Sequence, residues 1–589
     1  MTDDRLSGRR ASAVKTIAGE RGAALMSALL AAVFLTVLGL VVLEVLKAGL
    51  TQAASTESSI RAEALAQRGI DDVTALVWDA VKSVNENPSP AYAYDRKVKD
   101  IDAKLDLLAD RFAGGLTVQG LQGAYTIGIA SDVSNFDDFI AQHAAIPDYP
   151  YSRILTVRSE AAAGRRTAVK QAGIYVTTIN PVFNYPLSAK RDLVLSGAPF
   201  IVGDVLAREG KMVVFNKAYF TGSPGRQHAW EADWPTVKGF YRAQVVERGD
   251  MQGGEPIAPD GIRFSHFEPF ADEQLPKDAD IPIPSAVAAR MAEMNAALAD
   301  PMLFQPIEDE AFGGHVIAAN VPIGKKYTGG WVSITDGEIA VGDGSSVAGL
   351  AVDDGVLAMS PGSRVTLPNG PLYVRYDNDF VAAATFAGFL EVAPPHAVVV
   401  KGDAVIEDGF RFKGAMFVDG SVQIVGSVNL EGALYVSGAV DMKDMRSINF
   451  PDDDGDGIAD EESAPLILMA GGPVIFSESK SSAPIRIRAY LYSLQPVKLY
   501  GVVSKFHITG GVHGEDVVLN ALREDPDHMN AYWIDPDLGE PFLLTPPDKQ
   551  PGLPPERSNL QIFHDPALFS DPPVGIPVTD HLTMFARNA

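Results

Sequence analysis

The stretch that decides the fold of this chain is "KGAMFVDGSVQIVGSVNLEGALYVSG", residues 413–438. Its glycines recur every six residues, and "GAMFVDG" and "GALYVSG" are near copies eighteen residues apart. The repeated glycines are Gly414, Gly420, Gly426, Gly432 and Gly438. Units of six residues, each a short strand with a corner and three to a coil, are typical of a β-solenoid, and glycine accepts the positive φ of a tight corner at little cost. The stretch therefore predicts a β-solenoid; the alternative is an antiparallel meander with glycine turns.

The side chains between these glycines alternate between apolar and polar. Because successive side chains of a strand point to opposite faces, the apolar set is expected to point into the coil. This inward set consists of Met416, Val418, Val422, Ile424, Val428, Leu430, Leu434 and Val436. The intervening Gln423, Asn429 and Glu431 are predicted to face solvent.

The solenoid pattern is not confined to this stretch. Looser versions of it occur at 193–205, 330–375 and 484–514. Glycine and proline are plentiful, at 54 and 40 residues, which favours many turns and short strands. We therefore predict a mainly β fold, in which a β-solenoid-like head with irregular insertions follows a long N-terminal helix.

The longest apolar run of the chain lies near its start. No charged side chain occurs between Gly22 and Leu43, and about 20 such residues suffice to cross a bilayer core as a helix. The run exceeds the apolar core of a signal peptide, which is roughly 7–15 residues long. Basic residues before it place the N-terminus in the cytoplasm, so the remainder is expected to be exported. Helical spacing of apolar residues continues to Val84, which predicts one transmembrane and amphipathic helix over 23–86.

Composition excludes several classes of function. The formal net charge is −26 and no Lys/Arg-rich patch offsets it, so nucleic acid is not an expected partner. The chain contains no cysteine, which excludes thiol catalysis, thiolate metal sites and disulfides. A hydrophobic content of 46% is ample for a buried interior.

The sequence "ERGAALMSALL", residues 20–30, together with the apolar and Ala-rich helix that follows, resembles the class III signal of type IV pilin-like proteins. It is most similar to the PilX-type minor pilins, whose openings commonly read R-G-x-A-L. The resemblance implies that a prepilin peptidase cuts after Gly22 and that the mature chain begins at Ala23. Ser27 stands at the fifth mature position, where major pilins carry glutamate, and this argues against a major filament subunit. Residues 193–205 also match the "L-x-L-S-G-x-P-x-I-x-G-D-V" passage of PilX-type exported proteins.

The resemblance implies a minor pilin or tip-associated subunit of a type IV pilus or related filament, with a structural or adhesive role. Its expected partners are other pilins through the N-terminal helix, the prepilin peptidase and the inner membrane, and any surface ligand stays unidentified. The chain is then a single-pass membrane protein before assembly, with its bulk periplasmic or extracellular. After assembly it lies in the filament or at the cell surface.

The most specific local motif is "PDDDGDGIADEES", residues 451–463, which predicts a structural calcium site. Alternate oxygen ligands and a glycine at the sharp turn, here Gly457, are the features of a Ca²⁺-binding loop. The predicted ligands are Asp452, Asp454, Asp456, the carbonyl oxygen of Ile458, and Asp460. The loop resembles the thrombospondin- and dockerin-like loops of exported bacterial proteins. Ser463 replaces the usual bidentate glutamate, so weak binding is expected; the alternative is a solvated acidic loop.

The chain divides into six predicted segments. These are a basic leader (1–22), the pilin-like helix (23–86), an α+β linker with a hairpin and the first solenoid-like strands (87–225), an irregular insertion (226–325), the β-solenoid head with the calcium-like loop 452–463 (326–524), and a Pro/Asp-rich C-terminal cap (525–589). Within the insertion the sequence predicts one helix, at 285–298.

Motifs for catalysis are weak. The chain has no G-x-S-x-G, no H-E-x-x-H and no P-loop. His507 and His513 lie close together in a strand-rich region, but without a third spaced ligand such a pair is more often structural. We therefore predict a structural and interaction protein rather than an enzyme. The alternatives are a membrane-anchored solenoid enzyme acting on carbohydrate and an anchored adhesin without a filament.

Overall fold

The structure is a computed structural model that describes most of the chain. The described residues are 7–87, 93–120, 123–146, 148–222, 226–232, 234–239, 241–243, 245–248, 280–300, 303–308, 315–317, 325–334, 337–340, 349–376, 381–450, 463–477, 484–501, 504–523, 532–534, 541–543 and 554–588. They form one long N-terminal helix and a head made mostly of strands, which confirms the predicted mainly β fold.

The N-terminal part of the described chain pairs helices with long strands. Its helices are α1 (Ser7–Asn85), α2 (Tyr94–Ala113) and α3 (Phe136–Gln142). Its strands are β1 (Leu116–Gly120), β2 (Gly123–Ser134), β3 (Ser152–Ala163) and β4 (Arg166–Ile179). β3 and β4 form the hairpin predicted for the linker, and the φ of +61° at Gly164 permits its tight turn.

Ten short strands follow, and most of them form the first solenoid coils. They are β5 (Leu187–Ala189), β6 (Leu193–Gly197), β7 (Phe200–Val202), β8 (Val205–Ala207), β9 (Lys211–Phe215), β10 (Lys217–Gly222), β11 (Arg226–Glu231), β12 (Thr236–Lys238), β13 (Tyr241–Arg242) and β14 (Val245–Arg248). β10 and β11 form an antiparallel hairpin that leaves the coil. Helix α4 (Ile283–Ala299) follows and includes the predicted helix at 285–298.

A long series of strands forms the main stack. They are β15 (Gln305–Glu308), β16 (His315–Ile317), β17 (Lys325–Ile334), β18 (Gly337–Ala340), β19 (Leu350–Met359), β20 (Ser363–Leu367), β21 (Leu372–Arg375), β22 (Ala384–Phe386), β23 (Phe389–Val392), β24 (Val398–Lys401), β25 (Ala404–Ile406), β26 (Arg411–Asp419), β27 (Val422–Val436), β28 (Val440–Ile448), β29 (Leu466–Ala470), β30 (Val474–Ser477), β31 (Ile485–Ser493), β32 (Val497–Gly501), β33 (Phe506–Gly514) and β34 (Val517–Ala521). The C-terminal elements are β35 (Tyr532–Ile534), β36 (Pro541–Leu543), β37 (Leu560–Phe563), α5 (Ala567–Ser570) and β38 (Val578–Asn588).

The head is a parallel β-solenoid whose strands fall into three ladders. One ladder, here called the docking ladder, includes β21, β24, the second half of β26 and the second half of β27, and continues through β29, β31, β33, β5 and β8. A second ladder includes β23, the first half of β26, the middle of β27, the end of β28 and the first halves of β31 and β33, and continues through β37 and β7. The third includes β22, β25, β27, β28 and β30, and its upper part includes β32, β34, β6 and β9. Each coil therefore contributes strands to three faces.

The eighteen-residue repeat seen in the sequence is the length of a coil. Lys401 pairs with Asp419, and Val418 pairs with Val436, so two successive coils each span eighteen residues. The whole predicted inward set is buried in the solenoid core. Gln423, Asn429 and Glu431 are half-buried rather than fully exposed, because side chains of the coils above and below flank them.

Close stacking, as well as backbone conformation, requires glycine at two of the corners. Gly414 and Gly432 have φ values of +137° and +138°, which side chains rarely adopt. They lie directly above one another, and a Cβ at Gly432 would collide with the carbonyl oxygen of Gly414. The repeat thus keeps glycine where one coil rests on the next.

The order of the coils in the stack differs from their order in the chain. β33 and β34 near the end of the main stack pair with β5 and β6, which belong to the first coils. The chain therefore starts within the stack, winds to one end and begins again from the other end at β15. Helix α4 lies between these two runs in sequence and packs on β24, β26 and β27 of the docking ladder.

The C-terminal segment differs from the predicted cap. β37 completes a coil with β5 and β6, since it pairs with β33 on one side and β7 on the other. β38 leaves the solenoid and pairs antiparallel with β4, which makes a five-stranded sheet of the order β1-β2-β3-β4-β38 among the described residues. The two connections to the head are neighbours, because Ile179 pairs with Val578. Proline and aspartate signalled a break in regular structure but carried no information about strand pairing across the chain.

We predict that Val428→Asp destabilises the head while Val405→Asp is tolerated. Val428 is buried among the coils, so a carboxylate there is unpaired and costs several kcal/mol, on the order of 2–7. Val405 lies on the neighbouring coil with an outward, half-buried side chain. Thermal melting of the purified chain followed by circular dichroism measures both. Equal melting temperatures for the two variants would mean that the inward register is wrong.

Candidate functional site

The first half of α1 is an apolar helix without a covering element. Every described side chain from Leu25 to Leu50 is exposed, and Leu25 to Leu43 carries no charge. The hydroxyl group of Thr36 donates to the carbonyl oxygen of Ala32 at 2.7 Å, so this polar group is satisfied within the helix. Of the described helices, α1 is the one long and apolar enough to cross a membrane by length and composition.

The second half of the same helix is built into the N-terminal domain. Its inward side chains pack against α2 and the antiparallel sheet, and they include Leu65, Ile70, Val73, Val77, Val81 and Val84. The amide of Asn85, at the end of the helix, donates to the carbonyl oxygen of Leu582 at 2.8 Å and accepts from its backbone N–H at 3.0 Å. The C-terminal strand is therefore hydrogen-bonded to the end of α1, and the apolar half of the helix projects from this folded domain.

A buried arginine holds α2 against the same sheet. The guanidinium group of Arg153 contacts Asp102 at 2.9 Å, Asp106 at 2.7 Å and Asp132 at 2.6 Å. Burial raises the pKa of Asp102, although the hydroxyl of Tyr151 and Arg153 both favour its ionised form. Because these bonds join α2, β2 and β3, they fix α2 against the sheet on which the second half of α1 packs.

The outward side chains of the docking ladder are apolar and covered. They pack with α4, α5 and the antiparallel sheet in one cluster, whose ladder members include Tyr373, Val399, Phe417, Tyr435, Met469 and Tyr490. Tyr435 donates to the carbonyl oxygen of Gly575 at 2.7 Å. Strands buried on both faces read as continuous apolar runs, as "LILMA" in β29 does. The head is therefore docked on the N-terminal domain through this face.

Polar contacts surround the docked face. Tyr490 donates to the carbonyl oxygen of Asp565 at 2.8 Å, and Arg488 donates to the carboxylate of Asp565 at 2.8 Å. Arg587 of β38 bonds to Nδ1 of His564. These bonds connect the solenoid, the segment after β37 and the C-terminal strand.

His564 is held neutral at this joint. Its Nδ1 accepts from Arg587, so its Nε2 donates to the carbonyl oxygen of Phe183 at 3.0 Å. Burial, with the nearby Arg587 cation, places the pKa of His564 well below its usual value. A neutral ring satisfies both contacts, whereas a protonated ring would face Arg587 with like charge.

His513, one of the two histidines singled out in the sequence, links the two solenoid runs. Its Nδ1 lies 2.8 Å from the hydroxyl oxygen of Ser188, across the β33–β5 pair. Tyr490 stacks on the ring and Phe183 meets it edge-on, so both partners are sealed in the core. Burial lowers the pKa of His513 to about 3. His507 instead lies against Phe563, with ring centroids 4.9 Å apart.

The predicted processing site lies inside α1. Gly22 and Ala23 are both in the helix Ser7–Asn85, and their side chains are outside the described set. The helix therefore continues through the predicted leader without a break at this point.

The predicted calcium ligands lie outside the described residues, which stop at 450 and resume at 463. These ligands are Asp452, Asp454, Asp456, Ile458 and Asp460. In the part of the chain that the structure does describe, no group of three or more His, Asp or Glu side chains could hold a metal ion.

The two ends of this loop are fastened together. Asn449 has a φ of +54° and its amide donates to the carbonyl oxygens of Leu430 at 2.9 Å and Ala464 at 2.6 Å. The hydroxyl of Ser463 donates to the carbonyl oxygen of Asn449 at 3.0 Å, and Ser463 is buried. The loop therefore begins and ends at two residues that are hydrogen-bonded to one another. Ser463, at the usual glutamate position, uses its hydroxyl group in this bond.

Sequence reasoning missed the joint between the head and the N-terminal domain. Arg587 and His564 come from a segment that it assigned to a cap, and they donate to the carbonyl oxygens of Asn184 and Phe183, about 400 positions earlier. Asp565 of the same segment accepts from Arg488 of the solenoid. The usable signal was the non-alternating apolar pattern of strands such as β29, which indicates burial on both faces.

No protein-family model, curated protein or solved structure matches this chain.

We predict that His513→Asn removes part of the acid sensitivity of the fold. Folded His513 stays neutral down to about pH 3, whereas an unfolded histidine binds a proton near pH 6.5. Between those values the unfolded state binds more protons, so stability falls as pH falls, by about 1.4 kcal/mol per pH unit. Asparagine can keep the contact to Ser188 without titrating. Melting temperatures of the purified chain between pH 7 and 4 should therefore fall less steeply for the variant.

The exposed His581 provides the matched control, since His581→Asn should leave the slope of the parent unchanged. A gap between parent and His513→Asn that stays constant across this pH range would contradict the prediction.

Proposed function

We propose that this protein is a pilin-like subunit, a minor pilin or tip-associated subunit of a type IV pilus or related filament. The observation that carries the proposal is the division of α1. Its first half is apolar and exposed, while its second half is fixed in a folded domain. Such a helix needs a partner for its apolar half, and a bilayer before assembly and neighbouring helices afterwards both supply one. The resemblance of residues 20–30 to a prepilin signal supports this pair of partners, the membrane first and other pilin helices afterwards.

The placement of the head supports a structural and adhesive role. The head docks on the N-terminal domain through one covered face, and its chain connections both lie at that domain. The helix would be retained in the membrane or filament, with the head outside. A solenoid of this kind would present a stiff surface at the end of the helix, and the chain as a whole carries a net charge of −26. The surface ligand is not identified.

Calcium binding at the loop after Asn449 is a further part of the proposal. Three aspartates at alternate positions would repel one another without a cation, and Ca²⁺ accepts about 6–8 oxygen ligands. The fastened ends of the loop reduce the entropy lost when an ion orders it. Calcium would then stabilise the corner that leads into the buried strand β29.

Processing tests the pilin assignment. Mass spectrometry of the chain extracted from membranes should show an N-terminus at Ala23. This N-terminus would mean that the apolar helix is retained in the mature chain. Gly22→Val should block cleavage, because a branched side chain replaces the small residue that the peptidase resemblance requires. Gly39→Val is the control, since it makes the same substitution in the same helix at a site with open space around it. Cleavage near Ala48, after the apolar run, would mean an ordinary signal peptide. An uncleaved chain would favour an anchored adhesin.

Thermal melting with calcium and with chelator tests the loop. We expect weak binding, on the order of 10⁻⁴–10⁻³ M, because the bidentate glutamate is missing. At calcium 100-fold above the dissociation constant the folded chain gains about 2.7 kcal/mol. Asp454→Ala/Asp456→Ala should lose this shift. Asp535→Ala/Asp537→Ala removes the same charge at the same spacing and should keep it. A shift retained by the first double variant would place the calcium elsewhere.

A further inference from the structure

We propose that the turn between β3 and β4 is a contact for anionic lipid headgroups. Lys47 of α1 and Arg165 and Arg166 of the turn would bind the lipid phosphates where the helix leaves the bilayer. This inference rests on the proposed membrane anchoring of α1 and adds a lipid preference to it.

The height of the turn along α1 is the first argument. From Gly22 to Leu43 the uncharged part of the helix is about 33 Å long at 1.5 Å per residue, close to the ~30 Å hydrocarbon core. Lys47 is then the first basic side chain beyond the apolar segment. The guanidinium group of Arg166 binds the hydroxyl of Ser55 at 2.7 and 3.0 Å. Ser55 is about 12 Å further along the helix than Lys47, so the turn lies just above the bilayer surface.

A groove connects the turn to that surface. It runs between α1 and the hairpin, and its lining includes Lys47, Thr51, Ser55 and Arg166. Glu44 lines its end nearest the apolar segment. Lys47 and Arg166 therefore face one space that opens toward the headgroups, and a phosphate between them would be bound by two cations against one carboxylate.

The charge of the hairpin is the second argument. The whole chain carries −26, yet this hairpin holds four basic side chains beyond the buried Arg153, namely Arg158, Arg165, Arg166 and Lys170. Its acidic residue, Glu160, pairs with Arg158 at 3.5 Å. Lys170 donates to Gln67 of α1 at 2.9 Å, which holds the hairpin against the helix.

Arg165 stands at the tip of the hairpin without a structural role. It is exposed, and it has no ion pair or hydrogen bond among the described residues. A Cβ added at the neighbouring Gly164 would lie 3.3 Å from the hydroxyl oxygen of Ser58, so the turn lies close against α1. A basic side chain near an anionic membrane surface contributes about 1 kcal/mol. Two adjacent arginines at this height should therefore bind anionic phosphates more strongly than neutral lipid headgroups.

The test reconstitutes the full chain in nanodiscs of phosphatidylcholine mixed with phosphatidylglycerol. Native mass spectrometry then measures how much phosphatidylglycerol stays bound to the chain. Arg165→Gln/Arg166→Gln should reduce its enrichment by about fivefold for each arginine removed, the equivalent of about 1 kcal/mol each. Arg158 lies in β3 about 17 Å from Ala163, the last strand residue before the turn. Arg158→Gln removes one positive charge at that distance and should leave the enrichment unchanged.

A second readout reports position directly. Because the chain has no cysteine, Thr167→Cys can carry a single spin label beside the turn. The label should lose mobility when phosphatidylglycerol replaces phosphatidylcholine, and the double arginine variant should abolish that loss. High salt should abolish it as well, because it screens exposed charges.

The outcomes separate this inference from the anchoring on which it rests. A chain that is not retained in the discs overturns both. A retained chain whose lipid enrichment and label mobility are the same with and without the arginines overturns the headgroup contact alone. Displacement of the lipid by an equal concentration of inorganic phosphate would identify a free-phosphate site and would also overturn it.

Discussion

Strand β4 pairs with β3 on one edge and with the C-terminal strand β38 on the other, and the whole head is inserted between β4 and β38. This pairing determines the architecture, because it places both connections to the head beside one another. It also completes the sheet on which the second half of α1 packs. The exposed half of the helix and the solenoid are therefore held by one small antiparallel domain. Any change that releases β38 would loosen both.

The solenoid depends on a second long-range closure. β37, from the C-terminal segment, lies between β33 and β7 and completes the coil to which β5 and β6 belong. The contact between His513 and Ser188 links the same two runs of the chain. Pairing of segments so distant in sequence costs loop-closure entropy before the contacts form, which makes their formation slow. The sealed aromatic packing around His513 is part of what offsets that cost.

The joint and the projecting helix have complementary physical roles. At the joint, an apolar ladder face is fully covered, and its polar rim is satisfied by Arg488, Asp565, His564 and Arg587. On the first half of α1 an equally apolar surface is left uncovered. Large exposed apolar surfaces mark membrane or protein interaction sites. The contrast within one chain, a covered face toward the head and an uncovered helix away from it, is the basis for proposing an anchored, assembling subunit.

Local periodicity was readable from the sequence. The six-residue glycine spacing and the alternation at 416–436 predicted the coils and their buried side chains, and the uncharged run at 22–43 predicted the helix, because each reports on neighbours a few residues apart. The candidate calcium loop and the processing site stay predictions of the same local kind. Only the tertiary structure decided the order of coils in the stack, the pairing of β38 with β4, and the placement of the basic turn against Ser55. The physical reason is that parallel and long-range strand pairing is specified by the fit of whole faces, so no short stretch of sequence encodes which distant segment becomes the neighbour.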